Sequence, residues 1–166
     1  MAWQINGTPD TLTSPSDTTI ISDLTQLKFN VNLFHAEATA GTIFPNERIG
    51  NAGVDTGSNY SLSISFNGAV DTPVTGQTGW DIGTVVTNTG ETTFDIQYGI
   101  NIAGEEKLFI SLYMYSGATG SGSVPQRTEF ALKWSNTAQY DTVEVRNSGG
   151  TGDFNTDTNL SALGTD

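Results

Sequence analysis

His35 is the only histidine in a chain that has no cysteine, so imidazole chemistry has one possible seat and thiol chemistry has none. A serine–histidine–aspartate relay would have to run through it, but no Gly-x-Ser-x-Gly elbow presents a nucleophile. Closing the amphipathic stretch LKFNVNLFH, it reads as structural. Paired carboxylates come next, since glycoside hydrolysis needs two acids about 5–9 Å apart on one face. Glu129 and Glu144 could meet on neighbouring strands, yet Arg127, Lys133 and Arg146 interleave with them, the pattern of a solvated ion-pair face. Glu105 and Glu106 are consecutive, so in a tight turn they point apart. For a metal, Asp153, Asn155, Asp157 and Asn159 place oxygen donors at alternate positions, as a calcium loop does. Its sixth position is Thr158 where the bend needs glycine, and its twelfth is Gly164 where a bidentate glutamate belongs. The preceding GGTGD is one residue short of the Gly-Gly-x-Gly-x-Asp repeat and occurs once. These residues favour a turn held by Asx hydrogen bonds, with Ca2+ as the lesser alternative. The expectation is a protein with no catalytic residue and no cofactor, calcium aside.

The elements that would position any such groups are strands. The 166 residues suit one domain, 1–166, with a real core. Only 14% are charged, and no stretch of ten or more shows a 3.6-residue apolar rhythm. Lys107–Tyr115 (KLFISLYMY) alternates Leu108, Ile110, Leu112 and Met114 with Phe109, Ser111, Tyr113 and Tyr115, which predicts a central strand covered on both faces. Arg127–Trp134 has one wet face, and the Gly/Ser-rich SGATGSGSVPQ joins the two. Leu27–His35 should turn Leu27, Phe29, Val31 and Leu33 inward with Asn30 and Asn32 outward. Thr93–Ile102 should likewise point Phe94, Ile96, Tyr98, Ile100 and Ile102 inward.

Further strands are expected at Thr18–Ser22, Asn59–Phe66, Trp80–Thr87 and Tyr140–Asn147, with short ones near the start, between Ala38 and Ser58, and around Leu160–Leu163. Asn67-Gly68 supplies a tight hairpin turn, and Pro73 marks an edge strand. Eight to ten antiparallel strands without significant helix predict an all-β, two-sheet, jelly-roll-like sandwich. Pairing Arg127–Trp134 with Tyr140–Asn147 predicts a Glu129–Arg146 ion pair, or Arg127–Glu144 after a shift. Phe34, Phe109, Tyr113 and Tyr115 lie opposite the regular apolar stripes. They suit core or subunit packing first and sugar stacking second.

Eighteen acids against six bases give a formal charge of −12. The bases are scattered singly, which argues against nucleic acid and against anionic membranes. No basic and apolar leader is visible at the N-terminus, so synthesis in the cytoplasm is expected.

Blocks of the chain add something that periodicity cannot. WQINGTPDTLTSPSD, ISDLTQLKFN, GEEKLFI, VPQRTE and NSGGTGDFNTDTNLSALGTD resemble small β-rich proteins encoded by viruses of marine bacteria and archaea. The resemblance implies a virion component: capsid decoration, spike, fibre or tail part. None of these blocks is a catalytic or ligand motif. The expected function is therefore non-enzymatic and structural, with partners among copies of the chain and other virion proteins. The 116–124 and 148–159 loops would be exposed or at contacts. A carbohydrate-binding or receptor-binding adhesin module is the alternative, with a surface glycan as partner, and a glycan-degrading enzyme stands third.

Overall fold

Period-two alternation, β-branched runs and frequent turn residues produce a structure made of strands alone. The computed structural model describes residues 2–83, 91–117 and 120–166. The strands among them are β1 (Gln4–Ile5), β2 (Asp10–Thr11), β3 (Thr18–Ile21), β4 (Phe29–Glu37), β5 (Pro45–Gly50), β6 (Tyr60–Phe66), β7 (Thr72–Gln77), β8 (Trp80–Asp81), β9 (Thr92–Ile100), β10 (Lys107–Tyr115), β11 (Gln126–Trp134), β12 (Thr142–Asn147) and β13 (Asn159–Thr165). Three of these are two-residue pairings, which leaves ten of ordinary length, as the sequence predicts.

The strands form two antiparallel sheets. The larger runs β1-β13-β4-β9-β10-β11-β6-β7, with β2 also on β13, and the smaller runs β3-β12-β5-β8. Asn67 and Gly68 turn β6 into β7 with φ of 49° and 78°, as a I′ turn requires. Pro73 lies on the edge strand β7. Of the strand expected at Trp80–Thr87, Trp80–Asp81 is paired and Ile82 and Gly83 lie outside it. Residues 84–87, and residues 118–119 of the excursion between β10 and β11, lie outside the described residues.

Two expectations are overturned. The first is the partner of β11. After Trp134 the chain leaves the large sheet and crosses to the small one. Asn101 guides it, donating from Nδ2 to the Tyr140 carbonyl at 3.0 Å and accepting the Tyr140 amide at 2.8 Å. Strand β12 then inserts between β3 and β5. Neither Glu129–Arg146 nor Arg127–Glu144 can form across two sheets. Instead Glu144 stands opposite Arg48 of β5 and takes its guanidinium, with both side chains largely buried. Arg127 meets Glu129 on its own strand at 3.4 Å, exposed, and Lys133 meets Glu106 at 3.3 Å.

The second is the facing of three strands. β6, β11 and β12 turn their apolar residues inward as expected: Tyr60 and Leu62, Phe130 and Leu132, Val143 and Val145 are all buried. The adjacent strands β4, β9 and β10 do the reverse. Their inner positions are Asn30, Asn32, Phe34 and Ala36, then Thr93, Asp95, Gln97 and Gly99, then Lys107, Phe109, Ser111 and Tyr113. Strand β10 is central but bare on one side, not covered on both. The apolar core forms around this polar middle. Trp80 meets Tyr60 and Phe109 edge-on at 5.2 and 5.1 Å, and Phe109 lies over Gly99, where any Cβ would collide with its ring at 2.1 Å.

Two of these ion pairs test the placement of β12. Arg48→Ala would leave Glu144 enclosed without its cation and should cost about 3 kcal/mol. Arg127→Ala should cost less than about 0.5 kcal/mol. Urea midpoints measure both, and equal effects would contradict the pairing of β12 with β5.

Candidate functional site

The reversal of β4, β9 and β10 creates two unusual places, one on each side of the large sheet. Outside, the apolar stripes of three neighbouring strands merge. In register across the sheet run Ile5, Leu163, Val31, Tyr98, Ile110 and Ala131. Beside that row run Leu33, Ile96 and Leu112, and beyond it Phe94 and Met114. Ile110 is 65% exposed, and Tyr98 and Leu108 are each 52% exposed. No charged residue occupies an outward position of β9 or β10 between Phe94 and Ile100 or between Leu108 and Met114. Charge begins at the border, with Arg127, Glu129 and Lys133 on β11 and Glu37 ending β4. Within this face a trough of about 550 Å³ lies between Trp3, Phe29, Tyr98, Ile100, Leu108 and Ile110.

Inside, the same strands present polar groups to the small sheet. Glu47 of β5 is 1% exposed and projects onto β9. Gln97 donates from Nε2 to Glu47 Oε2 and, at 2.9 Å, to Asp95 Oδ2. Ser111 donates to Asp95 Oδ1 at 2.6 Å, and Asn32 reaches Glu47 Oε1 at 3.4 Å. Burial pushes the Asp95 carboxyl up to about 7, against the lowering effect of the Ser111 and Gln97 hydrogen bonds. Burial, reinforced by the charge of Asp95, holds Glu47 well above the usual carboxylate range, and the Gln97 and Asn32 hydrogen bonds only partly offset it. Tyr140 packs alongside, its hydroxyl proton held more tightly by burial and by the nearby Glu47 charge.

The residues singled out from the sequence are dispersed. Phe34, Phe109 and Tyr113 are buried in the core, and Tyr115 packs on Tyr113 with ring centroids 6.5 Å apart. None of the first three is available to a sugar. His35 is exposed on the rim of the outer face, in register with Asn159 and Phe94. Glu129 and Glu144 lie on different sheets, and Glu105 and Glu106 occupy the β9–β10 turn.

Asp153, Asn155 and Asp157 stay in a loop stitched to its surroundings, and Asn159 opens β13. The Asn155 side chain accepts from the Thr156 amide at 2.9 Å, and that of Asn159 accepts from Ser161 and donates to Thr11 at 2.7 Å. Phe154 plugs the turn into the core through Phe34 at 5.5 Å. Asp95, Gln97 and Asn32 were missed because polar residues opposite an apolar stripe read as the wet face, and Glu47 because the glycine- and proline-punctuated stretch around it shows no stripe at all. One signal was present. The polar positions of β4 and β9 carry amides and a single acid, whereas the truly wet face of β11 carries Arg, Glu and Lys.

No family model, curated protein or solved structure matches this chain. Its chemistry must be read from its own residues.

Raised carboxyl pKa values mean that the folded state holds protons the unfolded chain releases. Stability should therefore be greatest below about 4, the range of an unfolded aspartate, and should fall as pH rises to the Asp95 value of about 7. Thermal melts from pH 4 to 8 in divalent-free buffer check this. Asp95→Asn should flatten the profile, and a wild-type profile that rises over that range would refute the enclosure of these acids.

Proposed function

We propose that this protein is a non-enzymatic structural component that works by association of its own copies through the outer face of the large sheet. The observation that carries the reading is the apolar, uncharged surface made by β4, β9 and β10. Soluble monomers seldom leave contiguous apolar patches beyond a few hundred Å². Here ten large side chains, from Trp3 to Met114, are between 36% and 69% exposed on this side, and at ~200 Å² apiece they present roughly 900 Å². That equals one partner's share of a stable interface, about 800 Å².

A second copy is the occupant that the charges favour. A chain of net charge −12 repels its own kind, and two copies can approach closely only where charge is absent. A two-fold axis through β9 and β10 would lay stripe on stripe. Such pairs of sandwiches suit a repeated part of a virion, which is the setting that the sequence resemblance implies. The trough does not favour a sugar: among the described side chains that line it, Trp3, Tyr98 and Asn30 can hydrogen-bond, and Asn30 is buried and already held by Asn6 and the Leu27 carbonyl.

Sedimentation velocity over a range of concentrations should show a dimer or a larger closed oligomer, strengthened by added salt. Ile110→Glu, at an exposed position, should weaken association about 30-fold, roughly 2 kcal/mol, without lowering the melting temperature of the fold. A wild-type chain that stays monomeric at high micromolar concentration would sink the reading. Mass spectrometry of purified particles tests the virion assignment separately.

A further inference from the structure

The polar middle of the sandwich has acceptors in surplus and no cation. Glu47 and Asp95 contribute four carboxylate oxygens and are each 1% exposed. Asn32 and Gln97 give their amide N–H groups to those carboxylates, and their own oxygens, Asn32 Oδ1 and Gln97 Oε1, are buried without a partner. The Tyr140 hydroxyl beside them is also buried, with the Asn30 and Asn32 side chains as its polar neighbours. None of the six basic residues donates a hydrogen bond to this cluster. Arg48, Arg127 and Lys133 are held by Glu144, Glu129 and Glu106, Lys107 by main-chain carbonyls, and Arg146 by Asn46. Lys28 sits outside the sandwich before β4.

We propose that Glu47, Asp95, Asn32 and Gln97 form a site for one calcium-class divalent cation between the two sheets, with Tyr140 and Ser111 at its margin. The donor set is entirely oxygen, which selects hard cations over zinc or copper. Two carboxylates and two amide oxygens can supply six ligands without water, which suits calcium better than magnesium, an ion that retains part of its hydration shell. Half a turn of either amide would bring its oxygen to where its nitrogen now meets the acids. Side-chain amides make that exchange without steric change, since oxygen and nitrogen have nearly the same shape. The site is closed on all sides, so the cation enters as the sheets come together and its binding is coupled to folding. Protons and the cation compete for the same carboxylates. This proposal rests on the buried cluster alone and stands or falls independently of the outer face.

The test uses the full chain, unfolded in denaturant and refolded at pH 7.5 with EDTA, with CaCl2 or with MgCl2. Protein refolded in calcium should keep one calcium per chain through gel filtration, read by elemental mass spectrometry. It should melt about 5–10 °C above the EDTA sample when calcium is in hundredfold excess over its Kd, and magnesium should raise the melt far less. At pH 5 the calcium shift should vanish, because the acids are protonated. The double variant Glu47→Gln, Asp95→Asn should hold no calcium and melt alike with and without it. Asp153→Asn, Asp157→Asn should keep both the ion and the shift. Wild-type protein that refolds in calcium without retaining it overturns the proposal. So does a double variant that still binds one ion, or loss of binding in the Asp153/Asp157 variant, which would move the ion to that turn. Should the double variant fail to fold, the single Asp95→Asn chain is read for its calcium content, and retention of one ion there also overturns it.

Discussion

Two carboxylates shut between β-sheets without a cationic side chain are the constraint around which the rest is arranged. Charge in a low-dielectric interior is costly unless it is neutralised or fully hydrogen-bonded. Glu47 and Asp95 therefore gather their own polar shell: Gln97 bridges them, Ser111 holds one and Asn32 reaches the other. That shell comes from β4, β9 and β10, one strand after another in register, Asn32 beside Gln97 beside Ser111. Hydrophobic packing continues around it as one cluster that includes Trp80, Tyr60 and Trp134 as well as Phe34 and Phe154.

The outer face follows from the inner one. Successive side chains on a strand point to opposite sides, so putting polar residues inward puts the apolar ones outward. The bare apolar surface and the buried acids are two consequences of one choice of facing, made three times over by neighbouring strands. A sheet with Tyr98, Leu108 and Ile110 about half exposed or more is the inverse of the usual antiparallel sheet, whose apolar side lies on the core and whose polar side meets water. The proposed association of copies restores the ordinary arrangement, because the outer stripes then become the middle of a second, intermolecular core. The edges behave conventionally: β7 carries Pro73, and the wet face of β11 carries Arg127, Glu129 and Lys133.

Much of this fold is legible in the chain itself, and particular residues show where legibility ends. Alternation located every long strand to within a few residues, Asn67-Gly68 marked a hairpin, and Pro73 marked an edge. The two long strands joined by the Gly/Ser-rich excursion, β10 and β11, are neighbours as expected. The all-β architecture was thus determined by local alternation and turn chemistry, which act over two to four residues. Whether Asn32 or Leu33 looks inward could not be determined that way, because a period of two is unchanged when the strand is rolled over. Only the opposing sheet decides, and here it brings Glu47 to meet Gln97. The sheet that receives β12 was likewise settled at long range. Asn101 clamps Tyr140 and aims the chain at Arg48, 96 positions away from Glu144, a separation that no local rule spans.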